Sequence, residues 1–230
     1  MINNLESKQI QLIERFQIFL EEGDLYGFAA LLRRDLLEQN LKPEIIEATM
    51  KQLFALLSPH SFPIICKKIA QIDGHATGIA IGTLLQLRMK THFEESLEAA
   101  LLLANKLNPE AAKDEVARRV LGVALLNHPE LITPILPSLS KVNAGANRRL
   151  VAKAIEYSVT NGLDESYIED VFCTVMSNAA SARDETLLVF AEAGGKIAAK
   201  FPLITGKYVN HINRSPQFCE TFRDAIAPHI

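Results

Sequence analysis

Along this chain, apolar residues recur three and four positions apart. Between Ile10 and Leu20 they are Ile10, Leu12, Ile13, Phe16, Ile18, Phe19 and Leu20, while Gln9, Gln11, Glu14, Arg15, Gln17, Glu21 and Glu22 supply most of the polar side. That spacing lays a wide apolar stripe on an α-helix and does not alternate as a half-buried strand would. Ile46, Met50, Leu53, Phe54 and Leu57 repeat the pattern, as do Leu150, Val151, Ala154, Ile155 and Val159. No Asn-Gly or Asp-Gly turn joins alternating β-branched runs, so strand signals are missing. The whole chain reads as all-α.

Punctuation divides this pattern into helices. Ser58-Pro59, Asn108-Pro109-Glu110, His128-Pro129-Glu130 and Ser215-Pro216 each predict a helix start. A polar cap accepts a bond from an orphan amide, and proline at the first helical position loses none. Lys42-Pro43-Glu44 has the proline without a good cap. Gly23, Asn40, Asn161-Gly162 and Gly194-Gly195 predict helix ends, because these residues take the left-handed conformation that closes a helix. Between the marks lie roughly a dozen helices of about 11 to 20 residues. No Pro-, Gly- or Ser-rich linker is long enough to separate domains. A single helical domain over residues 1–230 is therefore expected, with atypical capping helices at about 1–57 and 196–230.

Composition changes the picture mainly by exclusion. Apolar residues make up 48% and charged ones 22%, which fits a folded chain and rules out disorder as its main state. Against 27 acids stand 24 Lys and Arg, a formal charge of −3, so no overall pull toward nucleic acid or anionic lipid is expected. Cys66, Cys173 and Cys219 are odd in number and far apart, unlike a disulfide framework or a metal-ligand set. A reducing, cytoplasmic location is the expectation. Cys66 and Cys173 stand in apolar helical runs and read as buried small hydrophobes, and Cys219 reads as partly exposed. Met1 to Ile10 has neither a basic segment nor an apolar core of the secretory type. The charge-free stretches Gly74–Leu87 and Leu131–Ser140 are too short to cross hydrocarbon, so no membrane span is expected.

Three segments are loosely self-similar: DEVARRVLGVAL at 114–125, NRRLVAKAI at 147–155 and RDETLLVFAEA at 183–193. Before the second lies HPELITPILPSLSKV, with Leu131, Ile135 and Leu139 in helical register. These residues resemble HEAT-like repeats of the armadillo/HEAT type, in which a Pro-Glu-Leu opening leads one helix and an Asp-Val-Arg start leads the next. The resemblance covers about residues 109–193. It implies a short right-handed α-solenoid of antiparallel helix pairs. Arg118, Arg148 and Arg183 stand 30 and 35 residues apart, shorter than the roughly 40–47 of standard units. Such an arginine is commonly structural, bonding carbonyls or an acid of the adjacent unit, and surface ion pairing accounts for the rest of the basic pairs Arg33-Arg34, Lys67-Lys68, Arg118-Arg119 and Arg148-Arg149.

Catalytic signatures are missing. There is no Gly-x-Ser-x-Gly, no Gly-x-Gly-x-x-Gly and no phosphate loop, since Thr205-Gly206-Lys207 lacks its upstream glycine and its following Ser or Thr. No His-Glu-x-x-His or Glu-x-x-His occurs, and His92 with Glu95 supplies two ligands where a metal takes four to six. His92 reads instead as a helix opener, with Glu94 and Glu95 favoured by the dipole. Gly74, Gly78 and Gly82 make a smooth strip suited to close packing of another helix, and each glycine inside a helix costs about 1 kcal/mol against alanine.

Charge is unevenly spread. Residues 1–50 carry nine acids and five bases, whereas no acid occurs between Ala193 and Cys219. Lys196, Lys200, Lys207, Tyr208, His211 and Arg214 form the candidate partner-facing patch. The expected function is a non-enzymatic protein–protein interaction module, an adaptor or scaffold that binds a protein or peptide and uses no cofactor, no metal and no catalytic residue. The alternative is a HEAT-like DNA-binding or DNA glycosylase-type protein. Its basic, tryptophan-bearing channel has poor support in a chain with no Trp and four Tyr, so a nucleic-acid partner is not expected. A HEAT-like metal hydroxylase would carry His-Glu dipeptides, and none occurs.

Overall fold

Every element in the computed structural model is helical; among the described residues (2–141, 144–182 and 185–230, with side chains described outside 2–9 and 144–146) there is no strand. The chain divides into two compact units, the first ending at Val120 and the second starting at Leu121.

The first unit contains α1 (Ile2–Glu21), α2 (Leu25–Leu32), a π-helical turn (Arg33–Leu37), α3 (Pro43–Phe54), α4 (Ser61–Ile69), α5 (His75–Arg88), α6 (Phe93–Ala104) and α7 (Glu110–Val116). Its centre is α5, in which every residue from Thr77 to Leu85 is buried. A helix apolar on all sides belongs inside a core, and α5 packs against α3 and α7 and is flanked by α4 and α6. Gly78 and Gly82 make this possible. A Cβ at Gly78 would fall on the Ala112 backbone of α7, and one at Gly82 would lie 2.8 Å from Arg119 Cδ. The glycine strip is thus a packing surface, although Gly74 stands outside the helix as its cap residue. The Glu115 carboxylate gathers Arg119 at 2.8 Å, Arg118 at 3.1 Å and the His75 ring at 3.3 Å, and Arg119 also reaches Glu47 at 2.7 Å. Arg119 thus ties its helical stretch to α3, whereas Arg118 bonds the Glu115 carboxylate and the Asp114 carbonyl of its own stretch.

The second unit contains α8 (Val123–Asn127), α9 (Pro129–Ile132), a 3-10 turn (Thr133–Ile135), α10 (Leu136–Leu139), α11 (Ala144–Thr160), α12 (Ile168–Ser181), α13 (Thr186–Lys200), α14 (Pro202–Gly206), α15 (Val209–Arg214) and α16 (Glu220–Ile226). Here α13 is central and packs against α11, α12 and α16. Gly194 and Gly195 lie within α13 and do not end a helix: a Cβ at Gly195 would stand 2.8 Å from the Ala225 carbonyl oxygen of α16, so this pair serves close approach. Gly23, Asn40 and Gly162 do take positive φ at helix ends, as predicted.

The helix starts agree in part. Pro43 and Pro129 open α3 and α9, and α7 begins at Glu110 just after Pro109. Ser58 receives the Ser61 amide on its Oγ at 3.1 Å, which moves the start of α4 past Pro59. Ser215-Pro216 starts nothing: Ser215 closes α15, and α16 begins only at Glu220. In the stretch from Pro129 to Leu139 the buried stripe is Ile132, Thr133 and Leu136, while Leu131 and Ile135 are exposed.

Candidate functional site

The six residues expected as a partner-facing patch lie on α13 to α15 or between them, and most are occupied within the fold. Lys200 Nζ donates to the Val159 carbonyl near the end of α11 at 2.7 Å. Lys207 reaches Glu169 of α12 at 3.2 Å, and the Tyr208 hydroxyl donates to the same carboxylate at 2.6 Å. The His211 ring packs edge-on to Phe218, with centroids 5.7 Å apart. Lys196 and Arg214 are exposed. The α12 acid absorbs charge that sequence adjacency assigned to an open basic surface.

Following Tyr208 inward leads to a site the sequence reading missed. Cys173, expected as a buried hydrophobe, is exposed. Helix periodicity explains the correction: the buried face of α12 carries Val171, Phe172, Val175, Met176 and Ala179, and position 173 falls on the other side. The Cys173 thiol donates to the Tyr208 oxygen at 3.6 Å, and the Phe172 and Tyr208 ring centroids are 5.8 Å apart. Hydrogen bonds from Tyr208 and Lys207, with the Lys207 charge, hold the Glu169 carboxyl below its usual range. The bond to Glu169 stabilises the Tyr208 proton and pushes ionisation of the phenol well above its ordinary value.

Beside this chain of groups lies a cleft of about 470 Å³, lined on one side by Glu130, Thr133, Pro134 and Pro137 and on the other by Tyr167, Asp170, Cys173, Thr174 and Ser177. Both walls follow the same arithmetic. Residues at i, i+3, i+4 and i+7 fall on one face of a helix, and each wall presents such a face for about 10 Å at 1.5 Å per residue. The cleft size falls within the range of about 300–1,000 Å³ typical of ligand sites. Its lining combines two prolines and a tyrosine ring with two carboxylates, and among the described residues no Lys, Arg or His lines it. Exposed Leu131 and Ile135 stand on the same helical stretch as the first wall.

Other candidates have structural roles. His92 precedes α6, its Nδ1 2.8 Å from the Thr91 hydroxyl, and Glu95 pairs with Arg88 at 2.7 Å. Burial pushes the Cys66 thiol up to about 12. Cys219 is half-buried. Among the described residues no group of three or more His, Cys, Asp or Glu is placed to hold a metal ion, and no single helix is long and apolar enough to cross a membrane. Arg148 donates to the Ser181 hydroxyl at 3.2 Å; Arg183, the third arginine of the repeat pattern, lies outside the described residues. Comparison with protein-family models, with curated proteins and with solved structures finds no match to this chain.

Proposed function

We propose that this chain is a non-enzymatic binding module, an adaptor or scaffold of HEAT-like build, which holds a segment of a protein partner in the cleft between the 129–139 stretch and α12. The observation that carries this reading is the matched spacing of the two walls, two helical faces lying open beside one another over two turns. The two prolines and the Tyr167 ring give the cleft apolar surface of the kind found at protein interfaces. The alternation of packing, α3 with α5 with α7 and α11 with α13 with α16, supports the layered hairpin build within each unit.

The test is a display screen of random peptides against the full chain, repeated with two variants. Ser177→Trp fills the cleft, and Lys196→Glu with Arg214→Glu reverses the exposed charges of α13 and α15. Peptides selected by the parent that are lost with Ser177→Trp and kept by the charge reversal support the cleft. Loss through the charge reversal alone moves the binding face to the basic patch and overturns the cleft reading.

A further inference from the structure

We propose that the cleft takes a basic peptide segment, seating a Lys or Arg side chain between the carboxylates of Glu130 and Asp170; this rests on the reading of the cleft as a docking site and names the chemistry of its occupant. Charge argues first. Both carboxylates line the cleft, and among the described residues no cationic side chain does. Asp170 has no ion pair among the described residues, and Glu130 faces only the His128 ring, at 3.8 Å. The neighbouring acid, Glu169, is already engaged by Lys207 and Tyr208, which leaves Asp170 as the open carboxylate of that turn.

A second observation is independent of charge. Thr133 is only 5% exposed, forms part of the cleft wall, and its hydroxyl oxygen is buried without a hydrogen-bond partner. An unmet polar group costs about 1–3 kcal/mol, and because this oxygen is enclosed, a ligand's donor removes that cost once the Thr133 side chain turns toward the cleft. An ammonium or guanidinium group is rich in donors and has no acceptor, which suits two carboxylates and an oxygen. The prolines and the Tyr167 ring provide apolar contact for the methylene stem of such a side chain. A peptide is favoured over a free amine because the walls run for about 10 Å, the span of about three extended residues.

The experiment uses the full chain with Cys219→Ser, so that Cys173 is the accessible thiol. A neutral maleimide reports on the cleft while capped Lys/Leu, Gln/Leu and Glu/Leu pentapeptides and spermidine are titrated separately. The Lys/Leu peptide is expected to protect Cys173 at the lowest concentration, with protection weakening as salt rises. In Glu130→Gln with Asp170→Asn, its affinity should fall about tenfold, as two partly exposed ion pairs imply. Unchanged melting temperature in that variant ties the loss to binding.

Equal protection by all three peptides, unmoved by the double variant, would sink the cationic proposal while leaving a docking cleft. Protection by spermidine as strong as by the Lys/Leu peptide would reject the peptide in favour of a free polyamine. No protection by any probe would overturn the docking reading itself.

Discussion

Gly78 of α5 lies so close to the Ala112 backbone of α7 that no methyl group fits between them. The absence of a side chain therefore sets the distance between two helices of the first unit. Gly78→Ala gains about 1 kcal/mol in helix propensity, but the clash falls on backbone and not on a side chain that can swing away. Overpacking of this kind costs about 1–3 kcal/mol, more where a helix must shift, so a net loss is expected. Thermal unfolding followed by circular dichroism should show a lower Tm for Gly78→Ala; a raised Tm would mean that α5 and α7 stand further apart.

Leu136 is fully buried, whereas Leu131 on the same helical stretch is 54% exposed. Leu136→Asp places a carboxylate among apolar groups without a partner, a cost of several kcal/mol that should unfold the second unit. Leu131→Asp should change stability by no more than about 0.5 kcal/mol. Melting curves of the two variants that coincide would count against the assigned face.

Lys200 and Lys196 look alike in the sequence and differ in the fold. Lys200 Nζ holds the Val159 carbonyl near the end of α11, a place where a positive charge is favoured, whereas Lys196, exposed like Lys200, makes no such bond among the described residues. Lys200→Met should cost about 1 kcal/mol in denaturant unfolding. Lys196→Met should leave the midpoint where it is, and equal losses from the two substitutions would contradict the separation of their roles.

The tie between Tyr208 and Glu169 sets an alkaline signature. The phenol's ionisation is raised in the folded state, so its stabilising contribution is complete below the ordinary tyrosine value of 10.0 and is lost as pH rises through the raised one. Phenolate absorbance of the folded protein should therefore include a late stage from Tyr208, above the ordinary tyrosine value. Tyr208→Phe should remove the late stage alone. A uniform loss of one quarter of the signal across the whole curve would refute the bond.

Most of the secondary structure was legible because it depends on local spacing. The stripe around Ile46, Met50 and Leu53 is buried in α3, and left-handed ends stand at Gly23, Asn40 and Gly162. What the sequence hid was set by distant partners. Gly194-Gly195 reads as a stop until α16 is seen against it, and the basic run on α13 to α15 reads as open until Glu169 is found beside Lys207. The second wall of the cleft was within reach, since Tyr167, Asp170, Cys173, Thr174 and Ser177 obey helical arithmetic. The first wall was not, because the register read there runs through Leu131, Ile135 and Leu139, whereas the cleft is lined by Glu130, Thr133, Pro134 and Pro137 of the same stretch.

The π-helical turn Arg33–Leu37 gives the chain a spare residue. Leu31 and Leu36 are five apart, as are Leu32 and Leu37, and all four are buried. At 100° per residue a regular helix would swing each pair about 140° out of line, whereas the wider winding returns them to one side. Excising a single residue between the pairs would leave them four apart, about 40° from alignment in an ordinary helix. Length variation is thus absorbed locally, and the turn acts as a ratchet tooth that can be dropped while the leucines keep their grip on the interior.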